Sequence, residues 1–258
     1  MKNLIVYSCL TLMGCLMSCK SKTENAQVPV EVPKDSIQLV AFEPSAAFYD
    51  AAISKMDYRE GQFKFAISGN YQLGQQTPDA PQKMCANSDK GQHIHLIVDN
   101  KPYEAKYEPE FHYKIEDGSH YVLAFLSRSY HESIKNPKAS VLIHAEVKDS
   151  SFMKLSPVDM PMLFYSRPKG TYIGNDTKKV MLDFYLANCR LGQMFKVKAE
   201  INQQEFIIDK WQPYYLTGLP MGENKIKLSL LDSAGVLVNN PFNPVERTFT
   251  LQAEPGQK

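Results

Sequence analysis

The sequence carries almost no excess of charge of either sign. Across 258 residues, 29 lysines and arginines stand against 28 acidic side chains, a formal net charge of +1. That balance argues against a nucleic-acid partner, which is held by concentrated basic surface. Long apolar repeats at helical spacing are absent, and with them a helical bundle. No G-x-S-x-G elbow, H-E-x-x-H pair or glycine-rich phosphate loop occurs. With no motif that specifies a reaction, a non-enzymatic role is expected. Beyond residue 19, cysteine occurs only at Cys85 and Cys189. A disulfide between them is one option in an oxidising envelope. Cys189, inside an apolar strand pattern, reads as a small buried hydrophobe.

What is plentiful is tyrosine, phenylalanine and proline, in short apolar runs broken by turn residues, which points to an all-β chain. The first residues stand apart from that pattern. Lys2 supplies a positive start and residues 4–17 an apolar stretch too short to span a bilayer, so residues 1–18 read as a secretory signal. It ends in two lipobox-like sequences, L-M-G-C at Cys15 and L-M-S-C at Cys19. Both resemble the bacterial lipoprotein motif, and Cys19 is preferred, because Leu16 and Met17 would otherwise prolong the apolar run. Residues 19–36 then form a polar tether punctuated by Pro29 and Pro33. The expected location is the bacterial outer membrane, lipid-anchored and facing the periplasm or the cell surface.

Order is expected from residue 37. Strand-like runs at 47–53, 62–67, 93–98, 111–115, 121–126 and 141–147 suggest a first Ig-like β-sandwich over 37–147. Runs at 162–165, 180–186, 195–201, 205–208, 214–216, 225–231 and 247–251 suggest a second over 161–253, after a linker at 148–160. The halves resemble one another. F-A-I-S-G-N-Y-Q-L-G-Q at 65–75 parallels D-F-Y-L-A-N-C-R-L-G-Q at 183–193; Gly118 parallels Gly222, and Asn136-Pro137 parallels Asn240-Pro241. A tandem duplication follows. The first copy carries an insertion at 76–92 that the second lacks.

All six histidines lie between His93 and His144, and G-Q-H-I-H-L-I-V-D-N places His93 and His95 on one face of a strand. In the second copy the matching strand, 196–201, puts Lys196, Lys198 and Glu200 outward, so Ile94, Leu96 and Val98 are expected in the core and His93, His95 and Ile97 outside. By the same comparison Tyr121, Leu123 and Phe125 replace the outward Lys225, Lys227 and Ser229. A solvated face has no need of such residues. The insertion, the second domain or a ligand is expected to cover it.

An H-x-H pair on a strand suits a transition metal, with His112 or His131 as a third ligand and Met84 or Cys85 as a soft one. Copper or zinc is the expected ion. Structural histidines bonded to a neighbouring loop are the competing reading, and His120 and His144 are assigned to it. Arg128, Tyr130, His131 and Glu132 form a second cluster that suits an anion or a sugar, or a loop capped by its own side chains. Tyr121, Phe125, Arg128 and Tyr130 together make the candidate ligand face, for a protein or glycan partner. Ser166-Arg167-Pro168-Lys169-Gly170 reads as a solvated basic corner.

The runs G-Q-H-I-H-L-I-V-D-N-K-P-Y, A-F-L-S-R-S-Y-H-E-S, L-F-Y-S-R-P-K-G and G-L-P-M-G-E-N resemble a family of Bacteroidetes-type bacterial lipoproteins of uncharacterised function, some of which carry the label phosphopeptide-binding. The first half is also similar to bacterial envelope domains with an H-x-H-L-x-x-D strand, matched by His93, His95 and Asp99, then Gly118 with His120, and His131. Those resemblances imply an envelope lipoprotein with a histidine site and leave its ligand open.

Overall fold

The structure, a computed structural model, describes residues 36–256 apart from Pro44 and Ala46. The signal, the lipidation residue Cys19 and nearly all of the tether lie outside the described residues. Strand β1 (Gln38–Ala41) is followed by β2 (Ala52–Arg59), β3 (Gln62–Ser68), the short helix α1 (Ala80–Lys83), β4 (His93–Val98), β5 (Glu104–Lys106), β6 (Glu110–His112), β7 (Gly118–Ser127), β8 (Ser140–Lys148) and β9 (Ser151–Ser156). Then come β10 (Met162–Arg167), β11 (Gly170–Ile173), β12 (Val180–Ala187), β13 (Phe195–Ile201), β14 (Gln204–Ile208), β15 (Tyr214–Thr217), β16 (Gly222–Asp232) and β17 (Val245–Gln252).

These strands make two β-sandwiches. The first faces the sheet β2-β3-β6 against β5-β4-β7-β8-β9; the second faces β1-β15-β12-β10 against β11-β17-β16-β13-β14. The order β5-β4-β7-β8 repeats as β14-β13-β16-β17, and β2-β3-β6 repeats as β10-β12-β15. Even the turns match. Asp99 and Asn100 after β4, and Asn202 and Gln203 after β13, all have positive φ, as a two-residue hairpin turn requires.

The face assignment drawn from the duplication holds. Ile94, Leu96 and Val98 join Val122, Ala124 and Leu126 in the first core, while Ile226, Leu228 and Leu230 lie in the second. Outside β4 and β7, Ile97, Leu123 and Phe125 pack on Met162, Phe164 and Tyr185 from β10 and β12. Of the three candidate covers, the second sandwich therefore takes most of this face. Strands β4 and β10 are buried along their whole length, and β12 along all but its last residue. They read as nearly continuous apolar runs for that reason, since both faces are covered.

Three boundaries fall elsewhere than the sequence suggested. Strand β1 hydrogen-bonds to β15 of the second sandwich, from Gln38 opposite Thr217 to Ala41 opposite Tyr214, so the chain enters through the second sandwich before building the first. Residues expected as linker contain β9, paired with β8 through a turn at Asp149 and Ser150, both at positive φ. Without glycine, that turn carries no obvious sequence signal. The first strand of the first sandwich runs over Ala52–Arg59 rather than 47–53. The insertion is closed at its base, where Gly74 N–H donates to the Gln92 carbonyl and Gln92 N–H to the Gln75 carbonyl, each at 2.8 Å.

Because Phe125 is fully buried and stacks on Tyr185 at 5.0 Å between ring centroids, Phe125→Ala is expected to cost about 3–5 kcal/mol. Urea unfolding at pH 7 reads that loss. A cost below about 1 kcal/mol, the range of an exposed surface site, would contradict the packing of the two sandwiches.

Candidate metal centre

Two elements bring three imidazoles together. Strand β4 supplies His93 and His95, two residues apart and therefore on one face. Their rings lie 4.8 Å apart, centroid to centroid. The turn after β7 supplies His131: its N–H donates to the Arg128 carbonyl, and Arg128 N–H donates to the Glu132 carbonyl, both at 2.9 Å. His131 sits at φ 70°, in the left-handed region that non-glycine residues seldom occupy and that clusters at functional sites. A buried aspartate from the other sandwich fixes this turn. Asp183 accepts from Ser133 N–H at 3.0 Å and from Lys135 Nζ at 2.8 Å.

The nitrogens converge. His93 Nε2 is 2.9 Å from His95 Nε2 and 3.0 Å from His131 Nδ1, and the three ligand atoms lie within 4.8 Å of one another. His93 Nδ1 lies 2.8 Å from the Gly91 carbonyl oxygen, which can only accept. The Nδ1 therefore carries the proton, and Nε2 of the neutral ring presents a lone pair to two other imidazole nitrogens. One lone pair cannot accept two good hydrogen bonds at once, whereas one cation can take all three nitrogens. Around a tetrahedral zinc the ligand nitrogens stand ~3.3 Å apart at ~2.05 Å from the ion, so the His93 pairs would open by a few tenths of an ångström and the third pair, within 4.8 Å, would settle to the same spacing.

A second layer orients the rings in the way metal-binding histidines require. The Gly91 carbonyl holds His93. A Cβ at Gly91 would come within 2.4 Å of the Gly74 carbonyl oxygen, and φ is 81°, so this approach to β4 needs glycine. His95 Nδ1 lies 3.2 Å from Ser166 Oγ of β10, and its ring stacks on Tyr103 at 3.6 Å and 6°. Tyr103 Oη reaches to 3.4 Å from His131 Nδ1. His93 and His95 are fully buried and His131 is half-buried, so the cluster has one open edge.

Burial keeps the imidazoles neutral. It pushes His93 down to about 4. Burial also holds His95 well below the usual range, with His93, His131, Arg167 and Lys169 adding repulsion. His131 is lowered by burial first, then by Arg167, His93 and Lys169. Neutral imidazole is the form that binds a metal.

The other sequence candidates fall elsewhere. His112 is exposed on β6, opposite Gln62 in the sheet that faces away from the cluster. Cys85 is buried with Ala80, Phe42, Tyr130 and Tyr215, apart from the histidines, and burial pushes its thiol up to about 12. Met84 is exposed, and both cysteines are free thiols. The ligand face does not form as one surface. Phe125 is covered by the second sandwich, and Tyr121 packs edge-on against Phe242 at 5.4 Å. Arg128 is buried, faces Glu132 at 3.5 Å and lies over the Phe48 ring; Tyr130 donates to Asp79 at 3.2 Å. This loop is thus capped by its own side chains and by the insertion. His120 is held by Asp99 and His144 by Ser119. Ser166 and Arg167 are buried, which overturns their reading as a solvated corner. The run L-F-Y-S-R, unbroken by charge until its last residue, was the signal that this segment is buried on both sides.

The lowered pKa of His93 has a consequence for metal-free protein. Its unfolded value of about 6.5 lies above the folded one, so the native state binds fewer protons in that window. Stability is complete above pH 6.5 and falls as pH drops toward 4, by on the order of 3 kcal/mol for this residue. Urea unfolding of metal-free protein at pH 7 and at pH 5 is expected to show the fall, with a shallower slope in His93→Gln. A flat profile in the unsubstituted protein would contradict a neutral, buried His93.

No protein-family model matches the chain, and no curated protein matches it. Among solved structures it is similar to fibronectin(III)-like modules of CbhA from Clostridium thermocellum, at 11% identity over 86% of this chain and 97% of that one, with a TM-score of 0.30. It is also similar to an extracellular domain from B. thetaiotaomicron (13% identity, 81% of this chain and 39% of that one, TM-score 0.26). A third likeness is to SGBP-B of the Bacteroides ovatus mixed-linkage glucan utilization locus, solved with a heptasaccharide (9% identity, 86% and 72% covered, TM-score 0.19). At such scores these likenesses carry no argument about what the histidine cluster does, and the family resemblance read from the sequence goes no further.

Proposed function

We propose that this chain is a lipid-anchored envelope protein that binds one copper or zinc ion at His93, His95 and His131, and that it acts as a binding protein rather than an enzyme. The observation that carries the reading is the convergence of three imidazole nitrogens on one point, with His93 Nε2 left as an acceptor by the Gly91 carbonyl. An all-imidazole set suits zinc and copper and offers nothing to calcium or magnesium, which take oxygen ligands. Buried His93 and His95 form the fixed floor of the site, and half-buried His131 is the edge where an ion enters and leaves. Lipidation at Cys19 would hold this site at the outer membrane, facing the periplasm or the cell surface.

A structural reading draws on the bond between His95 and Ser166, which ties one sandwich to the other. Loading separates the two. Purified protein exposed to Cu(II) or Zn(II) and then desalted is expected to retain one equivalent by elemental analysis. At 100-fold excess over Kd its Tm is expected to rise by roughly 5–10 °C. His131→Ala, at the open edge, should lose both effects, and His112→Ala should keep both. Absence of stoichiometric metal together with an unmoved Tm would leave the histidines as a staple between sandwiches and end the proposal.

A further inference from the structure

Away from the histidines, at the rim of the contact between the sandwiches, lies a cleft of about 920 Å³, a volume in the range of small-molecule sites. Strand β8 gives Leu142 to one wall, and the loop after β12 gives Cys189, Arg190, Leu191 and Met194 to the other. Trp211, between β14 and β15, lines it as well.

The two copies differ here. In the matched runs 65–75 and 183–193, Cys189 stands where the first copy has Tyr71, and Arg190 where it has Gln72. Tyr71 is 5% exposed, and its hydroxyl lies 2.7 Å from the Ser127 carbonyl oxygen and 3.1 Å from that of His93. It fills that end of the first sandwich. A cysteine is too small to do the same, and the matching end of the second sandwich is part of the cleft.

Most polar groups around the cleft are already paired. Lys135 Nζ donates to Asp183 at 2.8 Å, Tyr185 Oη to Ser140 Oγ at 2.6 Å and Trp211 Nε1 to the Phe184 carbonyl at 2.9 Å. Asn188 Nδ2 donates to the Met160 carbonyl at 3.1 Å. Burial pushes the Cys189 thiol up to about 11, which leaves it neutral at pH 7. A sugar needs many unspent donors and acceptors and finds few. What remains is apolar surface and one charge. The indole is held edge-on to Tyr185, at 5.1 Å and 90°. Met194 is exposed, with the pliable side chain that adapts to apolar ligands. Arg190 is exposed, and its side chain enters no ion pair or hydrogen bond among the described residues. No aspartate or glutamate lines the cleft among those residues, so the unmatched charge is positive and suits an anion.

We propose that this cleft binds a single acyl chain with an anionic head group, the chain lying against Trp211, Leu142 and Leu191 and the head received by Arg190. The aliphatic and aromatic walls remove the chain from water, and the guanidinium selects the sign of the head. The inference is independent of the metal reading.

Trp211 is the sole tryptophan, so its fluorescence reports on the cleft alone. The test titrates the metal-free full chain with decanoate below its micelle-forming concentration, with equilibrium dialysis counting bound ligand. A saturable change in Trp211 emission with one equivalent bound is expected. Decyltrimethylammonium, which has the same chain and the opposite charge, is expected to bind roughly tenfold more weakly or worse. Decyl phosphate is run beside decanoate, and whichever binds more tightly supports the inference and names the head group. Arg190→Gln is expected to weaken decanoate by about threefold to fivefold. Cys189→Tyr, which restores the residue of the first copy, should abolish binding. Met194→Glu, at an exposed position, should weaken it by repulsion and keeps the test valid if Cys189→Tyr fails to fold. No bound decanoate by dialysis would overturn the inference. Equal binding of decyltrimethylammonium would overturn the anionic head, and glucuronate bound as tightly as decanoate would overturn the acyl chain. Decanoate bound unchanged by folded Cys189→Tyr or by Met194→Glu would overturn the location.

Discussion

The structure depends on the packing of one sheet face against another. Ile97, Leu123 and Phe125 on the first sandwich meet Met162, Phe164 and Tyr185 on the second, and the apolar area removed from water there is what joins the two halves. Everything particular to the histidines follows from that contact. Without β10 over β4, His93 and His95 would sit on a solvated face, with ordinary pKa values and free choice of rotamer. With it, they are dry, neutral and held.

Polar groups refine what the apolar contact sets up. Asn100 donates to the Leu163 carbonyl and accepts from Tyr165 N–H, at 3.1 and 2.9 Å, so a turn of the first sandwich is stitched to β10 of the second. Asp183, fully buried, does the same for the turn that carries His131. Ser166 completes the set at His95. Each is a directional bond in a low-dielectric contact, where a misplaced partner would leave a desolvated polar group. Small displacements of the sandwiches are therefore resisted near the histidines, which keeps three nitrogens converged although they come from two separate stretches of chain.

The all-β class and the core faces were legible because alternation in β4, β7, β13 and β16 has period two. Comparison between the copies then decided which parity is inward. That His93 and His95 share an altered face was legible for the same reason. The partner across that face was not, although M-L-F-Y-S-R and V-M-L-D-F-Y-L-A are apolar on both parities, which is the mark of a strand covered on both sides. His131 could be placed near the pair only as one of two options, because β-pairing of distant strands decides which histidine reaches β4. His112, three residues into a strand of the opposite sheet, had an equal claim by parity alone. Tyr103, Ser166, Arg167 and Lys169 carry no spacing signal toward His95; they arrive through tertiary packing. Strand β1 crossing to β15 was invisible for a related reason, since a four-residue edge strand has no local mark of its partner.

The three histidines are a metal centre only if an ion sits among their rings. X-ray absorption on copper- or zinc-loaded protein gives the number and type of first-sphere scatterers directly. Three imidazoles at ~2.0–2.1 Å, with outer-ring carbon scattering to match and no sulfur, is the predicted spectrum. Fewer than three imidazoles, a sulfur scatterer from Cys85, or an all-oxygen shell of weakly held surface ion would contradict it.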